Sequence, residues 1–149
     1  MDVTGVRRRA FTLFATVDEH SVWDTMKDSW VAIVDDHDSL RSSLGRALRI
    51  EGIRAELFDS AETFLDHQAP SAPTCLVLDL QLPRMGGREL AQYLERERPP
   101  RPPTVFISAH EDLLASVDGQ CRSLGRLRKP FHIDELLALV KPLLAAGPA

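Results

Sequence analysis

Residues 74–80, TCLVLDL, form the stretch that decides the fold. The run is apolar except for Thr74 and Asp79, and Pro73 precedes it. A continuous apolar run of this length, bounded by turn-forming residues, is typical of a strand buried on both faces of a parallel sheet. Asp79 is the only charged residue of the run and stands near its end. This position makes Asp79 the first candidate for a functional side chain.

The chain around this stretch alternates short apolar runs with helical patterns. We predict four more strands, at Trp30–Asp35, Arg54–Phe58, Thr104–Ser108 and Gly125–Arg128. We predict helices at Ser39–Ile50, after the capping residue Ser60, at Arg88–Arg98, weakly at Asp112–Val117, and at Ile133–Leu144. Strand and helix therefore follow each other five times, which predicts an α/β fold, doubly wound, with a parallel sheet covered on both faces.

The length of 149 residues suits one domain with a proper core. We expect an N-terminal extension at 1–28, the domain at 29–146 and a tail at 147–149. Arg7–Arg9 before the apolar run Ala10–Val17 are similar to a secretory signal, but the run is short and acidic residues follow it. We therefore expect a flexible or weakly helical extension. Met26 stands just before the first strand, so an upstream start assignment is an alternative origin for residues 1–25.

Composition and charge exclude several classes of function. The hydrophobic fraction of 44% and charged fraction of 27% are ordinary for a globular protein. The net charge of −4 gives no electrostatic reason to expect binding to nucleic acid or to an anionic membrane. No apolar stretch reaches the roughly 18 residues of a membrane span. Cys75 and Cys121 lack metal-ligand spacing, and we expect neither a disulfide nor a location outside the cytoplasm.

Residues 98–103, RPPRPP, allow two interpretations. A proline-rich segment of this kind can be a polyproline ligand for a partner protein. We favour the other interpretation, a stiff connector between the third helix and the fourth strand.

Polar side chains stand at the ends of four of the predicted strands. They are Asp35 with Asp36, Asp79, Ser108 and Lys129. In an open parallel sheet, ligands bind beyond the carboxyl ends of the strands. Carboxylates gathered there repel each other unless a cation joins them, and Mg²⁺ suits such oxygen ligands together with a phosphate. A hydroxyl and a lysine suit phosphate oxygens, so the set predicts phosphoryl transfer onto a carboxylate.

Four motifs follow one another in a fixed order along the chain. They are VAIVDDH at 31–37, LVLDLQLPRMGG at 76–87, VFISAH at 105–110 and RKPF at 128–131. Together they resemble the receiver domains of two-component response regulators, over about Trp30 to Leu144. Residues 34–53 and 58–65 are most similar to FixJ-type receivers. The resemblance implies a flavodoxin-like (βα)5 fold with strand order 2-1-3-4-5.

The resemblance also implies roles for the acidic residues. Asp79 is similar to the phosphoacceptor of the family. Asp35 and Asp36 resemble the acidic pair that holds Mg²⁺, directly or through water. The backbone carbonyl of Gln81 resembles a further ligand of the metal.

Further roles follow from the resemblance on the phosphoryl side of the site. Ser108 is similar to the switch hydroxyl and Lys129 to the lysine that contacts the phosphoryl group. The Lys129–Pro130 bond is expected to be cis, as in the family. Gln81 and Ala109 stand where the family tunes the lifetime of the phosphorylated form. We expect His37 and His110 not to be required chemically.

The implied function is that of a stand-alone response regulator. Asp79 would take a phosphoryl group from a sensor histidine kinase or a histidine phosphotransfer protein. About five residues follow the last predicted helix, so we expect no attached DNA-binding module, and signalling by protein contact or action as a phosphate sink. We expect a monomer or weak dimer and no classical enzyme. The alternative is a degenerate receiver that binds partners without phosphorylation; a small metal-dependent phosphatase is disfavoured because Gln81 is not an acid.

One position departs from the family pattern. Arg126 stands where the family usually has an aromatic residue that moves with the switch hydroxyl. Residues 117–123, VDGQCRS, are a poor helix, and the stretch from Ser108 to Lys129 is about a residue short. We therefore expect an atypical face around the fourth helix and fifth strand.

Overall fold

The computed structural model describes residues 29–117 and 123–146, as five strands and five helices. The strands are β1 (Val31–Val34), β2 (Ala55–Phe58), β3 (Cys75–Asp79), β4 (Thr104–Ser108) and β5 (Ser123–Arg128). The helices are α1 (Asp38–Ile50), α2 (Ala61–Asp66), α3 (Gly87–Glu97), α4 (Glu111–Ser116) and α5 (Ile133–Ala146). The expected extension, the tail and Cys121 lie outside these residues.

All strand pairs of the sheet are parallel, and the order is β2-β1-β3-β4-β5. This order confirms the predicted flavodoxin-like topology. β1 and β3 lie inside the sheet, and every residue of both strands is buried. The most continuous apolar runs of the sequence are therefore the central strands, as burial on both faces requires.

The side chains of each central strand alternate between two apolar cores. Ala32 and Val34 of β1 belong to the core under α2, α3 and α4. Val31 and Ile33 belong to the core under α1 and α5. The helices therefore cover both faces of the sheet, which makes the fold doubly wound. No helix within residues 29–117 and 123–146 combines the length and apolar character needed to cross a membrane.

Gly87 fixes the approach of α3 to the end of β3. A Cβ atom at this position would lie 2.2 Å from the carbonyl oxygen of Asp79 and 2.9 Å from Cα of Leu80. Both neighbours are backbone atoms, which cannot move aside without disturbing the strand. A glycine is therefore required where the first residue of α3 contacts the end of the strand that carries Asp79.

The RPPRPP segment behaves as the predicted connector. The Arg101 side chain is only 2% exposed and donates a hydrogen bond of 2.7 Å to the hydroxyl of Thr104, at the start of β4. Its guanidinium also lies over the Phe106 ring. The segment is thus anchored to β4 by its own buried arginine.

The region between β4 and β5 differs in detail from the prediction. α4 is a defined helix of six residues, stabilised by the buried Leu114 and by acidic residues in its first turn. β5 begins at Ser123 rather than Gly125, because Thr104 pairs with Ser123 and Val105 with Gly125. The extra residue, Leu124, forms a bulge in β5.

Candidate functional site

The carboxyl edge of the sheet gathers the side chains that the sequence singled out. Asp35 follows β1, Asp79 ends β3, and Ser108 ends β4. All three are buried. The pairing of Asp79 with Ile107 brings Ser108, the next residue of β4, to the same edge. Charged and polar groups at this depth need partners to offset the loss of water.

Lys129 supplies that compensation for the two buried carboxylates. Its Nζ atom donates a hydrogen bond of 3.0 Å to Oδ2 of Asp79. The same atom lies 2.9 Å from Oδ2 of Asp35, so one ammonium group pairs with both buried carboxylates. The backbone N–H of Lys129 donates to the carbonyl of Ser108 at 2.8 Å, and the bond to Pro130 is cis as expected.

The electrostatics of Asp79 and Lys129 reflect this burial. Burial raises the pKa of the Asp79 carboxyl, although the Gln81 N–H and Lys129 act against the rise and Asp35 adds to it. Burial alone would lower the pKa of Lys129, but its contacts with Asp35 and Asp79 outweigh that effect and raise it. Lys129 therefore keeps its positive charge at neutral pH.

Gln81 enters the site through its backbone. Its N–H donates a hydrogen bond of 2.9 Å to Oδ1 of Asp79, while its side chain is exposed. Both carboxylate oxygens of Asp79 thus have a donor, one from the loop after β3 and one from Lys129. The ligand role of the Gln81 carbonyl stays a prediction.

A second group of atoms around Asp79 fits a metal ion. One possible ligand atom from each of Asp35, Asp36, His37 and Asp79 lies within 4.8 Å of the others. Asp36 is 37% exposed, so this side of the cluster opens to solvent. Carboxylate oxygens are the ligands that Mg²⁺ prefers.

His37 is a member of this cluster that the sequence interpretation set aside. Its Nδ1 atom lies 3.2 Å from Asp35 Oδ1, 3.3 Å from Asp36 Oδ1 and 4.0 Å from Asp79 Oδ2. Its position directly after the Asp35–Asp36 pair is the sequence signal that could have identified it. His110, in contrast, contacts the strand end through its backbone N–H, which donates to Ser108 Oγ at 3.0 Å.

Glu62 supports the loop that follows Asp79, a role that no local sequence pattern predicts. Its carboxylate accepts a hydrogen bond of 3.2 Å from the backbone N–H of Met85 and pairs with Arg84 at 3.4 Å. The hydrogen bond from its own backbone N–H lowers the pKa of Glu62 most, and the Met85 N–H and Arg84 lower this pKa further. α2 thus holds the loop between β3 and α3.

Arg126 occupies the position at which the sequence departs from the family pattern. Its side chain is exposed, and Nη1 donates a hydrogen bond of 3.3 Å to the carbonyl of Leu114 in α4. An arginine therefore links β5 to α4 where an aromatic side chain was expected from the resemblance.

Comparison with known proteins gives one consistent result. Residues 31–141 match the family model described as the response regulator receiver domain. The chain is 38% identical to the DNA-binding transcriptional regulator NtrC of Klebsiella pneumoniae over 109 residues, which cover 72% of this chain and 23% of that protein. It is 32% identical to the response regulator protein TodT of Pseudomonas putida over 121 residues, covering 80% of this chain and 53% of that protein.

Solved structures agree with the sequence comparisons. The response regulator StyR superposes with a TM-score of 0.71 at 37% identity, covering 80% of this chain and 60% of StyR. The chain spans between about a quarter and about a half of the curated relatives named above. With its (βα)5 topology and its acidic pocket beside Lys129, the chain belongs to the response regulator receiver domain family of two-component systems.

Proposed function

We propose that Asp79 accepts a phosphoryl group from a phosphohistidine of a partner, either a sensor histidine kinase or a histidine phosphotransfer protein. The observation that carries the proposal is the position of Lys129 Nζ, 2.9 Å from Asp35 and 3.0 Å from Asp79. This cation faces the one buried carboxylate that ends a central strand, where a phosphoryl group entering from the solvent side would meet both groups.

The reaction is an in-line displacement. A carboxylate oxygen of Asp79 attacks the phosphorus atom, the bond from phosphorus to the partner's imidazole nitrogen breaks, and its electron pair stays on that nitrogen. The product is an acyl phosphate on Asp79. Lys129 offsets the negative charge on the transferred oxygens. Ser108, a buried hydroxyl at the same edge, donates a hydrogen bond to one of them.

The acidic side of the cluster would hold Mg²⁺. Asp36, Asp79 and the carbonyl of Gln81 are the proposed ligands, with Asp35 acting directly or through water. When bound, Mg²⁺ supplies positive charge that offsets the carboxylates and the phosphoryl oxygens. The oxygen-rich donor set supports this assignment.

We further propose that the phosphorylated domain acts by contact with another protein, or by draining phosphoryl groups from a kinase, in the cytoplasm. The acidic net charge of −4 supports an output other than direct DNA binding by these residues. The exposed Gln81 and Ala109 flank the site and set the access of water to the acyl phosphate. Unchanged autodephosphorylation rates in Gln81 and Ala109 variants would contradict this last point.

Incubation with acetyl phosphate and Mg²⁺, followed by intact mass spectrometry, tests the proposal. We expect one phosphoryl adduct on the wild type and none on Asp79→Asn. Asp112→Asn is a matched control, because Asp112 is an exposed carboxylate in the first turn of α4, and it should keep the adduct. Absence of an adduct on the wild type would instead support a receiver that binds partners without phosphorylation.

A further inference from the structure

His37 differs from the other three residues of the cluster because its possible ligand atom is a ring nitrogen, whereas theirs are carboxylate oxygens. Its side chain is 65% exposed, and it follows Asp36 directly at the open side of the site. The buried side of the cluster is already compensated by Lys129. An ion entering from solvent therefore meets Asp36 and His37 before it meets the two buried carboxylates.

The backbone holds His37 in this position. Its N–H donates a hydrogen bond of 2.7 Å to Asp35 Oδ1, and Nδ1 contacts the same oxygen at 3.2 Å. Asp35 is fully buried and fixed by Lys129. The imidazole is thus oriented by a rigid carboxylate while its own ring stays accessible.

The spacing of the atoms is that of ligands sharing one ion. With bonds of about 2.1 Å, two neighbouring ligands of an octahedral ion lie about 3 Å apart and opposite ligands about 4 Å apart. Nδ1 of His37 lies 3.3 Å from Asp36 Oδ1 and 4.0 Å from Asp79 Oδ2. Coordination by all three groups places the ring proton of His37 on Nε2, because a protonated Nδ1 cannot bind a metal ion.

We propose that His37 is a nitrogen ligand of the metal site and shifts its preference from Mg²⁺ towards divalent transition ions. The inference rests on the proposed metal-dependent function. Mg²⁺ prefers oxygen, whereas imidazole suits transition ions, whose affinity for such sites rises from Mn²⁺ through Co²⁺ to Ni²⁺. Replacing the nitrogen by an amide oxygen should therefore weaken binding progressively along this series and leave Mg²⁺ almost unaffected.

Calorimetric titration of the untagged full chain with Mg²⁺, Mn²⁺, Co²⁺ and Ni²⁺ tests the proposal. For His37→Asn we expect the Ni²⁺ affinity to fall at least about tenfold, the Mn²⁺ affinity less, and the Mg²⁺ affinity no more than about twofold. His110→Asn is the matched control, because His110 is an exposed histidine at the same sheet edge outside the cluster; it should bind all four ions as the wild type does.

A spectroscopic measurement separates ligation from an indirect effect. Pulsed electron paramagnetic resonance of bound Mn²⁺ should show coupling to an imidazole nitrogen in the wild type and none in His37→Asn. Equal Ni²⁺ affinity in the two proteins, or equal nitrogen coupling, would overturn the proposal. Phosphorylation by acetyl phosphate with Mg²⁺ is measured on both proteins. If both accept a phosphoryl group but the metal preference is unchanged, the His37 inference fails alone. If nitrogen coupling is found without phosphorylation, only the proposed function fails.

Discussion

The central strand β3 and the edge strand β5 of the sheet differ in the burial of their side chains. Every residue of β3 is buried and its last residue, Asp79, has a donor on each oxygen. In β5 only Leu127 is buried, and Arg126 reaches out to α4. The chemistry of the site is therefore built into the rigid centre of the sheet. The surface that would signal phosphorylation to a partner lies at the β5 edge of the sheet. Fewer side chains are buried there, and Arg126 differs from the family pattern.

Lys129→Met should have the largest effect on both the unfolding free energy and the rate of phosphorylation. This change leaves the buried Asp35 and Asp79 without their cation, and breaking a buried pair costs about 3 kcal/mol of unfolding free energy. We also expect the rate of phosphorylation by acetyl phosphate to fall about 100-fold. Chemical denaturation and time-resolved intact mass spectrometry measure the two effects.

Lys141→Met is the control for Lys129. Lys141 pairs with Glu51, but its side chain is 53% exposed. Loss of such a surface pair changes the unfolding free energy by less than about 1 kcal/mol. Equal destabilisation by Lys129→Met and Lys141→Met would show that the buried ion pairs of Lys129 contribute no more to stability than an exposed pair does.

Gly87→Ala should have the next largest effect. The added methyl group would overlap the carbonyl oxygen of Asp79, so we expect a loss of about 1–3 kcal/mol of unfolding free energy. The neighbouring Gly86, the N-cap of α3, has its closest atoms at 3.6 Å, and Gly86→Ala should cost about 1 kcal/mol or less. Thermal unfolding of both variants makes the comparison, and a lower stability of Gly86→Ala would contradict it.

A smaller effect is expected from Arg126→Ala at the other end of the comparison. The substitution removes a partly buried hydrogen bond to the Leu114 carbonyl, which contributes about 1 kcal/mol. Because Arg126 bonds to α4 and is not a member of the carboxylate cluster, the phosphorylation rate should stay within about twofold of the wild type. A large fall in that rate would show that the edge strand and the central site are coupled.

The smallest effect is expected in the chemical labelling of Cys75, the first residue of β3. Burial raises the pKa of its thiol to about 12, and alkylation requires the thiolate. Iodoacetamide should therefore leave Cys75 unmodified in the native protein and modify it fully in denaturant. Peptide mass spectrometry resolves this residue, and rapid native labelling would mean that β3 is not the rigid centre described above.

The central part of this molecule was predictable from the sequence because its signals are local. TCLVLDL predicts a buried strand by its own composition, and a parallel sheet then brings Asp35, Asp79 and Lys129 to one edge. The assignment of this chain to the FixJ-type subgroup of receivers stays a prediction.

The features that were missed, or predicted only weakly as α4 was, depend on contacts between distant segments. The bulge at Leu124 is set by pairing with β4, and α4 gains its stability from the burial of Leu114 rather than from a long helical pattern. Glu62 contacts Met85 across 23 residues of sequence. No local pattern encodes such a contact, since it exists only after the strands have paired.

Reductive trapping of the acyl phosphate tests the central claim most directly. Borohydride converts a phosphorylated aspartate to homoserine, and peptide mass spectrometry then locates the modified residue. After incubation with acetyl phosphate and Mg²⁺ we predict homoserine at position 79 and nowhere else, with none formed when EDTA is present. Homoserine at Asp35 or Asp36, or no homoserine at all, would contradict the assignment of Asp79 as the phosphoacceptor.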